Sequence, residues 1–325
     1  MFSKFLLFFW TVRYLRFGQL FYRIFYRFKP VKISRIDELE IRYINLKWLA
    51  PNYSHPATKD GRSISFNGIY REIDTNWNSA HLPKLWLYNL HYQNDLNVKL
   101  NYKRTQLNKQ LIDSWIVSNP PKFGVGWEPY CISLRVINWV KWFGNLSNHE
   151  ISTNWLSSLH LQVQVLEQTI EYQVMANHLF ANAKAMIFAG VYFGGTDGER
   201  WLQKGCKILD AQLHEQFLDD GGHFELSPMY QALLLWDLAD LIHLSQISKQ
   251  PKLAVREEEL KRRLSLGLLW FGFLVHPDTK ISFFNDSTFN VAPELADLTE
   301  YAKFLNLKAP LENTSVGLSS KLLSN

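Results

Sequence analysis

Asn177 and His178 stand side by side in the stretch EYQVMANHLFANAKAMIFAG, residues 171–190, whose apolar spacing predicts a helix nearly throughout. Gln173, Asn177 and Lys184 lie on or beside the apolar stripe of this helix, so polar groups point inward. A buried amide without partners costs about 1–3 kcal/mol. Asn177 must therefore complete an internal hydrogen-bond network or face a polar cavity, and His178 is either a satisfied core histidine or a member of the same site.

A second group of polar residues lies in DDGGHFELSPMYQALLLWDLADL, residues 219–241. Ser227 followed by Pro228 predicts a helix start, with serine as the N-cap and proline in the first helical position. Tyr230 then falls in the first turn, where its hydroxyl can reach a cleft. His223 and Glu225 precede it on a loop whose two glycines allow tight turns. The alternative is an ordinary capped helix whose tyrosine packs in the core.

The elements that must position these residues are helices. Apolar residues recur at spacings of three and four over 84–118, 130–145, 152–193, 197–217, 228–248, 252–275 and 293–306. Residues 31–83 differ, because they are rich in Asn, Gly, Pro and β-forming residues, and we expect irregular chain with a short hairpin there. No alternation of strands and helices indicates a parallel sheet, and no glycine-rich phosphate loop opens a helix. The pattern predicts paired helices around one core.

The composition is that of a globular protein with a large core. The chain has 325 residues, of which 47% are hydrophobic and 20% are charged, enough for one large domain or two smaller ones. The aromatic content of 15% favours a carbohydrate ligand slightly, since flat rings suit the faces of sugars, although aromatic-rich cores are commoner. Cys131 and Cys206 are the only cysteines, which excludes a disulfide framework and a cysteine-built zinc site.

The positive charge is concentrated at the N-terminus. Residues 1–36 hold eight Lys or Arg and no acid, so the rest carries 27 basic against 30 acidic groups, a balance of −3. A broad nucleic-acid-binding surface is therefore not expected. Residues 1–30 predict a basic amphipathic helix with Arg13, Arg16, Arg23 and Arg27 among apolar residues. It either contacts anionic lipid or docks on its own domain with its arginines in water.

The apolar run Phe5–Trp10 is far shorter than the roughly 20 residues that span a bilayer, and no small-residue cleavage site follows it. A signal peptide or a transmembrane anchor is therefore not expected. These observations favour a cytoplasmic or membrane-peripheral location, and a periplasmic one stays open.

Together the motifs resemble the heparinase II/III-like family of polysaccharide lyases. The resemblance runs through WLYNLHY at 86–92, WEPYCISLRVINWVKW at 127–142, NHLFANAKAMIFAG at 177–190, DGGHFELSPMYQALLL at 220–235 and FFNDSTFNVAP at 283–293. It implies an all-α fold, an incomplete (α/α) toroid of helical hairpins, with a short irregular or β-containing N-terminal region. We accordingly divide the chain into an N-terminal helix (1–30), an irregular segment (31–83), the toroid (84–310) and a tail (311–325).

The resemblance also implies a reaction. A lyase that cleaves a 4-linked uronic acid removes the proton at C5, which requires that the neighbouring carboxylate be neutralised, and then protonates the leaving O4. By its match to the family motif, Asn177 would bind the carboxylate, with His178 beside it as neutraliser or base. Tyr230 matches the lyase tyrosine that acts as general acid or base. Further substrate-binding candidates are Trp127, Glu128, Tyr130, Arg135, Gln173, His223 and Glu225, and packing at a helix start is an equally good explanation for the first four.

No cofactor or metal is expected. The partner implied by the resemblance is an anionic polysaccharide, and heparan-type, alginate-type and bacterial surface polysaccharides all fit. Relatives of this kind continue into a β-sandwich that supplies a further histidine, whereas this sequence ends at LENTSVGLSSKLLSN. We therefore expect a truncated lyase with low or no activity alone, or one completed by a separate chain. The alternative is a non-catalytic polysaccharide-binding or assembly module of surface-polysaccharide metabolism.

Overall fold

Antiparallel helices packed as successive hairpins make up the molecule. The structure, a computed structural model, describes residues 10, 12–34, 39–42, 46–66, 68–72, 77–98 and 101–307, without the side chains of 101 and 102. The predicted tail, 311–325, and the first nine residues of the predicted N-terminal helix lie outside the described residues. The architecture is an all-α, incomplete (α/α) toroid, which confirms the expected fold class.

Apart from the long segments 29–83 and 273–294, the helices of the described residues follow one another with short connections. They are Phe17–Phe28 (α1), Lys84–Tyr92 (α2), Thr105–Ser118 (α3), Pro129–Phe143 (α4), Thr153–Gln168 (α5), Ala176–Tyr192 (α6), Gly195–Gln216 (α7), Pro228–Ser248 (α8), Pro251–Ala254 (α9), Glu257–Gly272 (α10) and Leu295–Phe304 (α11). Short 3-10 helices span Asn94–Asn97, Asn101–Arg104, Val125–Trp127 and Asn148–Glu150.

The predicted helix boundaries hold where capping residues mark them. Helix α8 spans the predicted 228–248, because Ser227 accepts a hydrogen bond from the Tyr230 amide at 3.3 Å and Pro228 occupies the first position. Three other predicted helices are divided: 84–118 is interrupted by 3-10 turns, 152–193 is interrupted by the non-helical residues 169–175, and 252–275 breaks after Ala254. The short hairpin expected in 31–83 is present, with strands Ser63–Phe66 (β1) and Ile69–Glu72 (β2) paired antiparallel.

Helices α4 and α6 lie at the centre of the core. Every residue of α6 from Leu179 to Tyr192 is buried, and α4 is buried on nearly all sides. Their packing is rich in tryptophan and phenylalanine, including Trp139, Trp142 and Phe143. Part of the high aromatic content, the tryptophans above all, therefore belongs to core packing.

Two glycines allow α6 and α7 to pack closely. A Cβ atom on Gly190 would lie 2.4 Å from the Leu202 nitrogen, and one on Gly205 would lie 2.9 Å from the Ala183 carbonyl oxygen. Backbone atoms cannot yield to such contacts, so any side chain at either position would force the helices apart. This close packing fixes where α6 begins and therefore where Asn177 and His178 lie.

Helix α1 docks on the body, but its apolar side does not face the core. Tyr22 stacks on Tyr172 with ring centroids 4.6 Å apart, and Arg16 pairs with Glu215 at 2.6 Å. No residue of α1 is buried. The helix is therefore docked as one alternative predicted, yet it leaves large apolar side chains in solvent. In the described part of the chain, no helix is long and apolar enough to cross a bilayer.

Candidate active site

The central cavity of the toroid has a volume of about 480 Å³. It is lined by residues from α2, α4, α6 and α8 and from two segments around 48–54 and 286–291. Asn177, His178, Tyr130 and Tyr230 all line it. Residues from the two motifs that the sequence singled out therefore meet at one site, although 52 positions separate His178 from Tyr230.

Asn177 and His178 lie at the start of a helix, not within one. The prediction of a nearly continuous helix over 171–190 is wrong, because 171–175 forms a turn and α6 begins at Ala176. Met175 and Ala176 have φ angles of 70° and 50°, a left-handed conformation that breaks the helix. The two side chains consequently project from the first turn of α6, where the helix dipole favours a bound negative charge by about 0.3–1 kcal/mol.

Glu171 holds His178 in a defined orientation. The His178 Nδ1 lies 3.0 Å from Glu171 Oε1, and Asn182 Nδ2 donates to Glu171 Oε2 at 3.0 Å. A carboxylate only accepts hydrogen bonds, so Nδ1 carries the proton and Nε2 of a neutral imidazole has a free lone pair. The His178 ring also stacks on Tyr130, with centroids 4.2 Å apart. Glu171 escaped the sequence analysis, although it stands in the same stretch.

Tyr130 connects the imidazole to the amide. Its hydroxyl accepts a hydrogen bond of 3.5 Å from Asn177 Nδ2, and its ring contacts Tyr92 edge to face. Burial raises the pKa of the Tyr130 phenol, so it stays neutral. The long amide contact is weak, so Asn177 Nδ2 is available to a stronger acceptor in the cavity.

Tyr230 projects from the first turn of α8, across from α6. Its hydroxyl donates to Asp286 Oδ2 at 3.2 Å, and Ser227 Oγ donates to the Asp286 carbonyl at 2.8 Å. Burial, followed by the charge of Asp286, raises the pKa of Tyr230 to about 12. The phenol therefore carries its proton at neutral pH, which is the form of a proton donor.

The carboxyl group of Glu225 is close enough to Asp286 and to His178 for their charges to affect its pKa. Burial raises the pKa of its carboxyl, the charge of Asp286 adds to the rise, and His178 opposes it. The Glu225 carbonyl accepts a hydrogen bond from Asn285 Nδ2 at 3.0 Å, which ties the loop before α8 to the segment carrying Asp286.

A buried charge cluster forms the floor of the cavity and was missed by the sequence analysis, apart from the inward position of Lys184. Lys141 and Lys184 both contact Asp240 Oδ2, Lys141 at 2.5 Å, and Lys184 also pairs with Asp237 at 2.5 Å. Tyr301 donates to the other oxygen of Asp240 at 2.9 Å. The available signal was one or two charged residues within an otherwise apolar helix, as in VINWVKWF and LLLWDLADLI.

The pKa values within this charge cluster follow from burial and pairing. Burial lowers the pKa of Lys141 to about 8, with Asp240 opposing the fall. Burial alone would raise the pKa of Asp240, but the charges of Lys141 and Lys184 outweigh burial and lower this pKa. Burial alone would lower the pKa of Lys184, but the charges of Asp237 and Asp240 outweigh burial and raise this pKa. Asp240 is therefore ionised and holds both ammonium groups.

The structure places three predicted residues away from the cavity. Arg135 is fully buried beneath it, where it donates to Gln162 and to the carbonyls of His91 and Gly126 and lies 3.8 Å from the Trp115 ring centroid. Trp127 is buried and donates to the Asn119 carbonyl at 3.1 Å. His223 is buried, 3.2 Å from Gln216 Oε1, and burial lowers its pKa to about 4. All three side chains are buried in the core and form hydrogen bonds there.

Three further candidates, Glu128, Gln173 and Glu225, are not part of the cavity lining. Glu128 pairs with Lys84 at 2.9 Å and contacts the hydroxyl of Tyr88, which does line the cavity. The Gln173 carbonyl accepts a hydrogen bond from Gln19 of α1, and its side-chain oxygen is buried without a partner among the described residues. Within those residues, no group of three or more His, Cys, Asp or Glu could hold a metal ion.

Comparison with known proteins gives a consistent relationship. Residues 97–309 match the family described as Heparinase II/III N-terminus. A heparin-sulfate lyase of Pedobacter heparinus is 28% identical over 173 residues, and one of Bacteroides thetaiotaomicron is 26% identical over 196 residues. These alignments cover 50% and 55% of this chain but 25% and 27% of the relatives. The alignments thus span about a quarter of the length of the curated relatives.

The fold is shared with solved structures. A crystal structure of heparinase III superposes with a TM-score of 0.55 at 20% identity, covering 74% of this chain and 40% of that one. At this level of identity, the likeness concerns the helical fold alone.

Proposed function

The chain belongs to the heparinase II/III family, and we propose that its central cavity carries out β-elimination on a uronic-acid-containing polysaccharide. The observation that supports this most is the meeting of Asn177 and Tyr230 in one cavity, each on the first turn of a different helix. An amide donor for the carboxylate and a protonated phenol for the leaving oxygen are two of the three groups that a carboxylate-assisted elimination needs, and the third is a base for the C5 proton.

In this proposal, Asn177 binds the uronate carboxylate. Its amide donates a hydrogen bond to the carboxylate oxygen on which negative charge accumulates as C5 loses its proton. The N-terminus of α6 adds a favourable field for the same charge. Removing one preorganised donor of this kind costs about 10²–10³-fold in kcat in well-studied cases.

His178 and Tyr230 divide the proton transfers. His178 Nε2 takes the C5 proton, because Nδ1 is engaged by Glu171 at 3.0 Å. The C5 electron pair forms the C4=C5 double bond, the C4–O4 bond breaks, and Tyr230 donates its proton to O4. The raised pKa of Tyr230, about 12, favours this role as acid over a role as base. Asp286 holds the hydroxyl in place before the transfer.

The test is turnover of the purified chain on unsulfated and sulfated uronate polymers, measured by the ultraviolet absorbance of the conjugated double bond. We expect Tyr230→Phe to lower kcat by about 10²–10⁴-fold, the usual contribution of a general acid. The matched control is Tyr70→Phe, which removes an exposed hydroxyl from β2 outside the cavity lining. Equal turnover by wild type and Tyr230→Phe would contradict the proposal, and polymer binding without any double-bond formation would favour the binding module.

A further inference from the structure

Helix α1 presents to solvent one side that is made of large apolar side chains. Phe17, Phe21, Ile24 and Phe28 follow one another at spacings of four, three and four, so they form a single stripe along the helix. Their exposed fractions are 84%, 48%, 63% and 78%. Contiguous apolar surface of this kind is uncommon on a protein that stays in water, and it marks a place where another surface binds.

The opposite side of α1 holds the helix on the body. Gln19, Tyr22 and Tyr26 are half-buried and follow one another at spacings of three and four. Tyr22 stacks on Tyr172, and Gln19 Nε2 donates to the Gln173 carbonyl at 3.4 Å. The stripe therefore points away from the body because the other side of the helix already contacts it.

Contacts at both ends fix α1 in place. Arg16, which precedes the helix, pairs with Glu215 of α7 at 2.6 Å. After the helix, the Lys32 amide donates to Gln168 Oε1 at 2.9 Å, and Gln168 Nε2 donates back to the Lys32 carbonyl at 2.7 Å. The stripe is thus carried by a helix that is attached to α5 and α7, so a surface that binds the stripe also holds the body.

Positive charges border the stripe. Arg23 and Arg27 are exposed, and their spacing of four places them together on the flank between the stripe and the body. The sequence from 12 to 34 contains six Lys or Arg and no acidic residue. Two copies packed stripe to stripe would bring these arginines near one another without a carboxylate from this segment. An anionic bilayer instead takes the rings at its acyl boundary and pairs the arginines with its headgroups.

The basic surface continues from α1 onto the body. Lys122, an exposed residue between α3 and α4, donates to the Val31 carbonyl at 3.3 Å. Burial lowers the pKa of Lys204 of α7, Glu167 opposes the fall, and the charge of Lys29 adds to it, so Lys29 and Lys204 lie close together. The end of α1 therefore adjoins cations from two other parts of the fold, which extends the surface that attracts anionic lipid.

We infer that α1 lies in the interface of an anionic membrane, with its apolar stripe at the acyl boundary, and holds the body at the membrane surface. A helix with its side chains is about 10–12 Å across. The turn 171–175 contacts the inner side of α1 through Tyr172 and Gln173, so it lies about one helix diameter from the stripe. Asn177 and His178 follow this turn directly, and the candidate active site is therefore held near the headgroups.

Cosedimentation of the full chain with phosphatidylcholine vesicles, with and without phosphatidylserine, tests the inference. The wild type should pellet with the anionic vesicles. Phe17→Ser combined with Phe28→Ser should weaken this binding at least about tenfold, since two rings no longer enter the acyl boundary. The matched control is Phe273→Ser, a 65% exposed ring that follows α10, and it should bind as the wild type does.

The contribution of charge is tested separately. Arg23→Glu combined with Arg27→Glu should abolish the preference for anionic vesicles, whereas Arg23→Lys combined with Arg27→Lys should retain it, because attraction to the headgroups depends on charge. Raising the salt from about 50 mM to about 500 mM should reduce the preference of the wild type. Lys122→Glu should weaken anionic binding at least about threefold. Its matched control is Lys59→Glu, which reverses an exposed charge in the segment before β1 and should leave binding unchanged.

Three results would overturn the inference. The first is a wild type that fails to pellet with anionic vesicles. The second is a variant carrying Phe17→Ser and Phe28→Ser that pellets as the wild type does, since charge alone would then hold the protein on the lipid. The third is a stable dimer in sedimentation velocity without vesicles that the same two substitutions disperse, since a second copy of the chain would then cover the stripe.

Discussion

Replacing Asp240 by asparagine should strongly destabilise the fold. The substitution keeps the shape of the side chain but removes the charge that Lys141 and Lys184 share, and it leaves two buried ammonium groups with Asp237 alone. Breaking a buried ion pair by removing one partner costs about 3–5 kcal/mol. The amide oxygen of asparagine can still accept a hydrogen bond from Tyr301, so we expect a loss near the lower half of this range.

A loss of this size is measurable by urea unfolding followed by tryptophan fluorescence. It is a large fraction of the roughly 5–15 kcal/mol that stabilises a typical domain. The matched control is Asp219→Asn, which neutralises an exposed carboxylate on the loop before α8 and should change the free energy of unfolding by less than about 0.5 kcal/mol.

The loss should also depend on pH. Burial lowers the pKa of Lys141 in the folded protein to about 8, below the ordinary lysine value of 10.5. The unfolded chain therefore binds more protons between these values, and stability contributed by this lysine rises with pH. Without Asp240, the pKa of Lys141 in the folded protein falls further. The difference in free energy of unfolding between wild type and Asp240→Asn should therefore shrink as pH rises from about 7 to about 10. A loss below about 1 kcal/mol at pH 7, or a deficit that grows with pH, would refute the account of the charge cluster.

Three further predictions concern the site. Glu171→Gln should lower kcat by about 10–100-fold with a smaller effect on KM, because the imidazole of His178 loses the partner that fixes its tautomer. Steady-state kinetics on the cleaved polymer measure both constants. A change mainly in KM would mean that Glu171 contacts the substrate instead. Tyrosinate absorbance in wild type minus Tyr230→Phe should appear only as pH approaches the raised pKa of about 12, and a difference signal already present near pH 7 would rule out the acid role. Ser227→Ala should cost about 1 kcal/mol in thermal unfolding through loss of the helix cap and should also reduce turnover, since Ser227 holds Asp286. The comparable cap substitution Ser152→Ala at α5 should match the stability loss without the turnover loss, and equal turnover in both variants would separate Ser227 from the site.

Local sequence signals predicted the helices and identified the residues that could take part in binding or catalysis. Apolar spacing predicts helices because one face of each must be buried, and Ser227–Pro228 marks the start of α8 because serine accepts the first free amide and proline needs none. The family motifs brought Asn177, His178 and Tyr230 to attention as one set, and the fold class followed from the same resemblance. All of these are properties that a few neighbouring residues carry.

Tertiary structure decided where these residues meet and which others join them. Apolar periodicity could not indicate the break before Ala176, because the left-handed backbone at Met175 and Ala176 interrupts a stretch that otherwise reads as helix. It could not separate Arg135 from the cavity either, since an arginine near a helix start is equally able to reach substrate or to bind buried carbonyls. The cluster of Lys141, Lys184 and Asp240 forms only because α4, α6 and α8 bring these three side chains together in the core. Its members are held by burial and pairing across roughly a hundred residues of sequence, an interaction that no local pattern encodes.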